Sequence, residues 1–339
     1  MKKTAFFISI CIILTSCQRI KQDPNNYEYL KTIDSLTFFT GLPVEMKFYK
    51  DYIFIYDFFG ENGLISVINP AKDTLLFSFL HKGNGPDEII SFSNLDILSY
   101  NNKNLFGVFD NNTKRYRLYN SDSIIINYQN SPLLFEGNVK IPYSITELFK
   151  INKGYIATGF FPDGKFALLD DDLNLKSYNE KYRPKTKTNI DPLVHAKANI
   201  GKSVISSDLR SLANVTFHAG ILEYYNIEND SIIKEWEFVL DELDYTIENE
   251  LQIRNNQVEG FISVDITQDY IFALYSGKEY DHEAIATYGK YVYQFDRNGN
   301  LLHCYQLDRE VLDIKVKANR LKAIVHYPEP MIVSYLLPM

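Results

Sequence analysis

The sequence is poor in tryptophan and cysteine and lacks any apolar run long enough to cross a bilayer. Trp236 is the sole tryptophan among 339 residues, and Glu237 follows it. Repeat families that dock a tryptophan or a Trp-Asp pair in every unit are therefore excluded. Basic residues are outnumbered, 35 against 43 acidic, and the net charge of −8 argues against a nucleic-acid partner. There is no Gly-x-Ser-x-Gly elbow, so an α/β-hydrolase reading fails. Histidines 81, 195, 218, 282, 303 and 326 show no zinc-type spacing. What remains is abundant Tyr (25) and Phe (23) in a chain 45% hydrophobic and 23% charged. That is ordinary globular composition, tilted toward strands.

The first residues read as an address. Lys2 and Lys3 precede an apolar run from Ala5 to Leu14, broken only by Ser9. Ten residues suit a secretory signal, whereas a spanning helix needs about 20. The run ends Leu14-Thr15-Ser16-Cys17, which resembles the lipobox of bacterial lipoproteins. The competing reading is a plain secretory signal with a coincidental cysteine. The resemblance implies residues 1–17 as a signal peptide and Cys17 as the lipidated new N-terminus. Residues 18–26 are then a short tether, and 27–339 a single domain. Processing removes two lysines and no acid, moving the charge from −8 to −10. It also leaves Cys304 as the one thiol without lipid, so no intramolecular disulfide forms. Gln18 after the cysteine, with no acidic run behind it, implies an outer-membrane anchor facing the periplasm.

The body repeats. Strand-like runs such as Asp51 to Asp57, Gly63 to Asn69 and Thr74 to Leu80 alternate with turns opened by Asn or Asp. Turns at 69, 120, 170, 226 and 296 give intervals of 51, 50, 56 and 70. In this reading Ile124 to Ile126 is a strand, and Leu243, Ile247 and Leu251 mark a surface helix within 241–257. Tyr182 to Lys202 is a second insertion. Strand units repeating near 50 residues predict an all-β, six-bladed β-propeller. A β-sandwich with accidental regularity is the competing arrangement. The sixth unit ends after its third strand, so Tyr27 to Phe39 is expected to close it, antiparallel to 332–336.

At 81–89 stands His-Lys-Gly-Asn-Gly-Pro-Asp-Glu-Ile, a Gly-x-Gly-Pro-x-Glu turn. With the lipobox, it makes the chain resemble the TolB-like six-bladed propeller lipoproteins of Bacteroides-type Gram-negative bacteria. The resemblance supplies no catalytic residue. Gly83 and Gly85 are expected at positive φ in a tight inter-blade turn. Phosphate cradling is disfavoured there, since no helix follows and Asp87 and Glu88 repel anions.

In a propeller, loops leaving the outer strand share a face with loops joining the second and third strands. That face would gather His81, Lys82, Asn84, Asp87 and Glu88 with Tyr280, Asp281, His282 and Glu283. Three consecutive ligand types at 281–283 rarely converge on one ion, so a solvated loop or a ligand contact is expected and no metal site is assigned. The sequence thus predicts a lipid-anchored envelope module that binds or scaffolds an envelope protein, peptide or glycan. No catalytic residue and no cofactor are assigned. The alternative is an envelope lyase or hydrolase with its site in the axial channel, where scattered carboxylates would hold Ca.

Overall fold

Runs of β-branched and aromatic residues separated by Asn-, Asp- and Gly-containing turns set the strand order. The computed structural model describes residues 24–37, 41–85, 88–182, 192–228, 231–247, 251–253, 257–279 and 287–338. Two short N-terminal strands, β1 (Glu28–Leu30) and β2 (Asp34–Leu36), come first. Blade one follows as β3 (Pro43–Tyr49), β4 (Tyr52–Asp57), β5 (Ile65–Asn69) and β6 (Thr74–Phe79). Blade two is β7 (Asp96–Tyr100), β8 (Lys103–Asp110), β9 (Arg115–Asn120) and β10 (Leu133–Asn138). Blade three is β11 (Ile145–Lys150), β12 (Tyr155–Gly159), β13 (Phe166–Leu169) and β14 (Leu175–Asn179). Blade four is β15 (Gly201–Ile205), β16 (Ser211–Thr216), β17 (Ile221–Glu228) and β18 (Ser231–Val239). A hairpin of β19 (Tyr245–Ile247) and β20 (Leu251–Ile253) leads into blade five. That blade is β21 (Phe261–Ile266), β22 (Tyr270–Tyr275), β23 (Gly289–Asp296) and β24 (Leu301–Val311). Blade six supplies β25 (Ile314–Lys317), β26 (Arg320–Val325) and β27 (Met331–Leu336).

Each blade is an antiparallel sheet with its first strand innermost. The N-terminal segment is divided between two blades. β2 is the outer strand of blade six, antiparallel to β27 with Asp34 opposite Ser334 and Leu36 opposite Ile332. β1 instead runs parallel to β24, Glu28 opposite Tyr305, and adds a fifth strand to blade five. Between them, Thr32 donates from its backbone N–H (3.0 Å) and its hydroxyl (2.9 Å) to the Asp308 carboxylate.

Two elements depart from the sequence reading. Ile124 to Ile126 lie in helix α1 (Ser121–Asn127), because Asn120 is an N-cap whose side chain accepts the Ser123 N–H at 3.0 Å. Asp122 in the first turn suits the helix dipole. The region expected as a surface helix holds the β19–β20 hairpin, where Tyr245, Thr246 and Ile247 favour extended backbone. The insertion before blade four carries helix α2 (Pro192–Ala198).

The core lies between blades. Six apolar clusters each join one blade to the next. Phe54 meets Phe106 at 5.5 Å between blades one and two, Tyr116 meets Tyr155 at 5.1 Å, and Phe166 meets Tyr225 at 5.1 Å. Along these seams the middle strands are buried on both faces, whereas the outer strands stay partly exposed, so each blade is stabilised by both neighbours.

Candidate functional site

The 81–88 turn is built around Glu88. Its Oε2 accepts the Gly85 N–H at 2.7 Å, and its carbonyl oxygen accepts from Arg115 and Arg117 at 2.9 and 3.1 Å. Gly83 and Gly85 are not among the positive-φ glycines, which corrects the expectation. Space is the reason for glycine: a Cβ on Gly83 would fall 2.1 Å from Glu88 Oε2, and one on Gly85 3.0 Å away. Glu88 is thus a structural residue. His81 is exposed and lines a groove of about 540 Å³ beside Phe77, Tyr119, Ile126 and Tyr128. Lys82 is exposed and lies 5.2 Å over the Phe58 ring, and Asn84 is exposed beside it. Asp87, Tyr280, Asp281, His282 and Glu283 lie outside the described residues.

Lys82 leads to side chains that the sequence reading passed over. Phe58 and Phe59 follow β4, are 42% and 63% exposed, and pack edge-to-face at 4.8 Å. Their loop is pinned by Asp57. One carboxylate oxygen accepts the N–H groups of Leu42 (2.6 Å) and Phe59 (3.2 Å). Burial pushes the Asp57 carboxyl up, and these backbone donors offset only part of that rise. Gly41 is required because a Cβ there would meet Asp57 Oδ1 at 2.1 Å. Blades five and six reach the same place. His326 Nε2 donates to the Pro43 carbonyl at 2.7 Å, which leaves Nδ1 to accept the Tyr288 hydroxyl at 2.8 Å. This clip spans blades five, six and one. It sits beneath Tyr327, which is 75% exposed and packs 6.1 Å from Tyr288. The result is an aromatic surface made of two pairs, Phe58–Phe59 and Tyr288–Tyr327, on loops held by these bonds, on the face where the outer-strand exits and second-to-third-strand loops meet.

The axial channel is different in kind. Its carboxylates join five of the six pairs of neighbouring inner strands. Glu45 accepts from Leu95 N–H (3.0 Å), Asp96 from Lys150 (3.0 Å) and Glu147 from Ser203 (3.0 Å). Asp265 accepts from Val316 (2.7 Å), and Asp313 returns to Met46 (3.1 Å) to complete the circuit. The junction of blades four and five uses backbone instead: Gly260 N–H donates to Phe217 O at 2.6 Å. Asp313 also takes Ser263 Oγ at 2.5 Å and Lys202 Nζ at 2.9 Å, with Lys315 Nζ at 3.3 Å. Burial alone would raise Asp313, but these two lysines outweigh it and hold the carboxyl far below its usual range. Burial pushes Asp96 up to about 6 and Glu147 up to about 7. Burial, with Lys315 nearby, lowers the Lys47 amine. Among the described residues no group of three His, Cys, Asp or Glu side chains is placed to hold a metal ion. The channel acids recur in sequence as acid-then-apolar pairs, at Glu45-Met46, Asp96-Ile97, Glu147-Leu148, Asp265-Ile266 and Asp313-Ile314. That pattern was the available signal for them.

Comparison with known proteins agrees with this architecture. A protein of Bacteroides fragilis NCTC 9343, named an exported protein, superposes with a TM-score of 0.53 at 12% identity, over 91% of this chain and 94% of that one. A DUF4221-family member from Bacteroides vulgatus gives a TM-score of 0.54 at 11% identity, over 91% and 97%. Raptor of Chaetomium thermophilum gives 0.53 at 13% identity, with 91% of this chain covering 28% of that one. No curated protein matches the chain in sequence. The model of the TolB-like 6-blade propeller-like family matches residues 24–319. With that match over most of its length and six blades around one axis, the chain belongs to the TolB-like 6-blade propeller-like family.

Proposed function

We propose that this propeller is an extracytoplasmic binding module, held to the outer membrane on the periplasmic side through lipidated Cys17. Its aromatic face receives a segment of an envelope protein. The observation that carries this reading is the exposure of Phe58, Phe59 and Tyr327 on loops fixed by Asp57 and His326. Large aromatics on a rigid support bury much area at little entropic cost, the property of interface anchors. The lipobox and the short polar tether support the anchoring and the location. The enzyme reading, with Ca in the channel, is less well supported. The carboxylates it would need are engaged in joining the blades.

A photo-crosslinking residue at position 59 of the full chain, expressed in the native envelope, tests the site. A discrete protein adduct is expected from position 59 and none from position 101, which lies on the opposite face. Adducts to glycan alone, or equal adducts from both positions, would overturn the reading. Cys17→Ser is expected to abolish labelling by radioactive palmitate and to release the protein from membranes. Persistent labelling would refute the anchor.

A further inference from the structure

The charges around the aromatic surface are unbalanced. Glu61 lies in the loop that carries Phe58 and Phe59, Glu329 in the loop that carries Tyr327, and Glu279 in the blade-five loop beside them. All three are exposed, and none has a hydrogen bond or ion pair to a described residue. Among the described residues, two lysines of this surface have partners of their own. Lys278 pairs with Glu310 at 2.7 Å, and Lys82 sits over Phe58. Exposed carboxylates with no bond to a described residue thus share loops with exposed rings. A carboxylate pairs with a cation, a ring face attracts one through its quadrupole, and a guanidinium can do both at once.

Building on the binding reading above, we infer that the segment received here is basic, an arginine- or lysine-bearing stretch of a partner protein. Its cationic heads stack on Phe59 and Tyr327 and pair with Glu61 and Glu329. Carboxylates at the rim of the aromatic patch also steer a cationic partner toward it and repel acidic ones, which gives selectivity as well as attraction.

The probe is a fluorescein-labelled nonapeptide with three arginines, compared with the same peptide carrying glutamate at those positions. Both are titrated against the full chain. The arginine peptide is expected to bind and the glutamate peptide not to. Binding should weaken at least tenfold between 50 and 300 mM salt, since exposed pairs are screened over about 8–10 Å. Glu61→Lys with Glu329→Lys should weaken it at least fivefold, and Phe59→Ala should do the same with little change in salt dependence. Asp51→Lys with Asp172→Lys, on the opposite face, should have no effect. If that control weakens binding as much, the attraction belongs to the whole acidic protein and the inference falls. Equal binding of both peptides would overturn it as well. The crosslink at position 59 separates the two claims. An adduct whose captured segment lacks Arg and Lys removes this inference and leaves the binding face. Absence of any adduct there removes the binding face itself.

Discussion

Removal of the Asp313 carboxylate tests how the ring is held shut. This side chain is fully buried and serves four blades: Met46 of blade one, Lys202 of blade four, Ser263 of blade five, and Lys315 of its own blade six. Asp313→Ala orphans the Met46 N–H, worth about 1–3 kcal/mol. It also strips the counter-charge from Lys202 and Lys315, and breaking a buried pair from one side costs about 3–5 kcal/mol. The terms overlap, so a loss of about 4 kcal/mol is expected, a large part of the roughly 5–15 kcal/mol that holds a domain folded. Asp313→Asn keeps the shape and an acceptor for Met46. Lys315 still has the Ile314 and Val264 carbonyls at 2.8 and 3.3 Å, so about half that loss is expected. Urea unfolding followed by far-UV circular dichroism gives the magnitude. Fluorescence of Trp236, which stacks on Tyr224 at 5.3 Å and donates to Arg297 O at 3.0 Å, reports the seam between blades four and five. Coincident transitions would mean that the whole ring opens together. The depressed carboxyl stabilises the fold above the unfolded carboxylate value and loses that effect as pH falls through its folded value, so the acid sensitivity of Asp313→Ala should be reduced. A loss under about 1 kcal/mol for Asp313→Ala would refute the circuit as a source of stability.

Glu147, pushed up to about 7, binds a proton more tightly folded than unfolded, so its contribution declines as pH rises from about 4 through 7. Glu147→Gln should therefore flatten that slope and be more stable than wild type at pH 8, a result that thermal melts at pH 5 and pH 8 would check. Gly260→Ala should destabilise markedly, because a Cβ there would fall 1.7 Å from the Ala219 carbonyl oxygen, and backbone cannot swing away. Gly83→Ala should cost only about 1 kcal/mol, since the Glu88 side chain can move; equal midpoints for the two variants in urea would contradict this. A chain beginning at Gly41 should melt well below one beginning at Asp23, because it loses Leu30, Leu36 and both added strands.

The blade period is legible because its turns are chemically local. Asn69, Asp170 and Asp296 each accept a backbone N–H two residues ahead, at 3.1, 3.0 and 2.9 Å, and such bonds need nothing distant. Asn120 shows the limit of that signal, since the same side-chain chemistry opens a helix as readily as a turn. The divided N-terminal segment was equally hidden. Which blade a three-residue strand joins depends on edges hundreds of residues away. The aromatic face was missed for a related reason. Phe58 and Phe59 continue an apolar strand run in sequence, and only the fold turns them outward. His81 and Lys82 do reach the expected face, while Glu88 from the same motif is spent on the turn.

The N-terminal segment also defines a mechanical load path. A pull on the described segment meets Pro24 first, whose carbonyl accepts the Tyr293 hydroxyl at 3.3 Å, then Tyr27, whose hydroxyl bonds that of Tyr293 at 2.8 Å, then the three-residue ladder of β1 on β24. Next in series come the paired Thr32–Asp308 bonds, and only then β2, the outer strand of the last blade. On a pull from the N-terminal side, β1 on blade five thus stands in series ahead of β2, the strand that completes blade six. Tension from that side would peel β1 before it reached β2, so the outer strand of blade six would be loaded last.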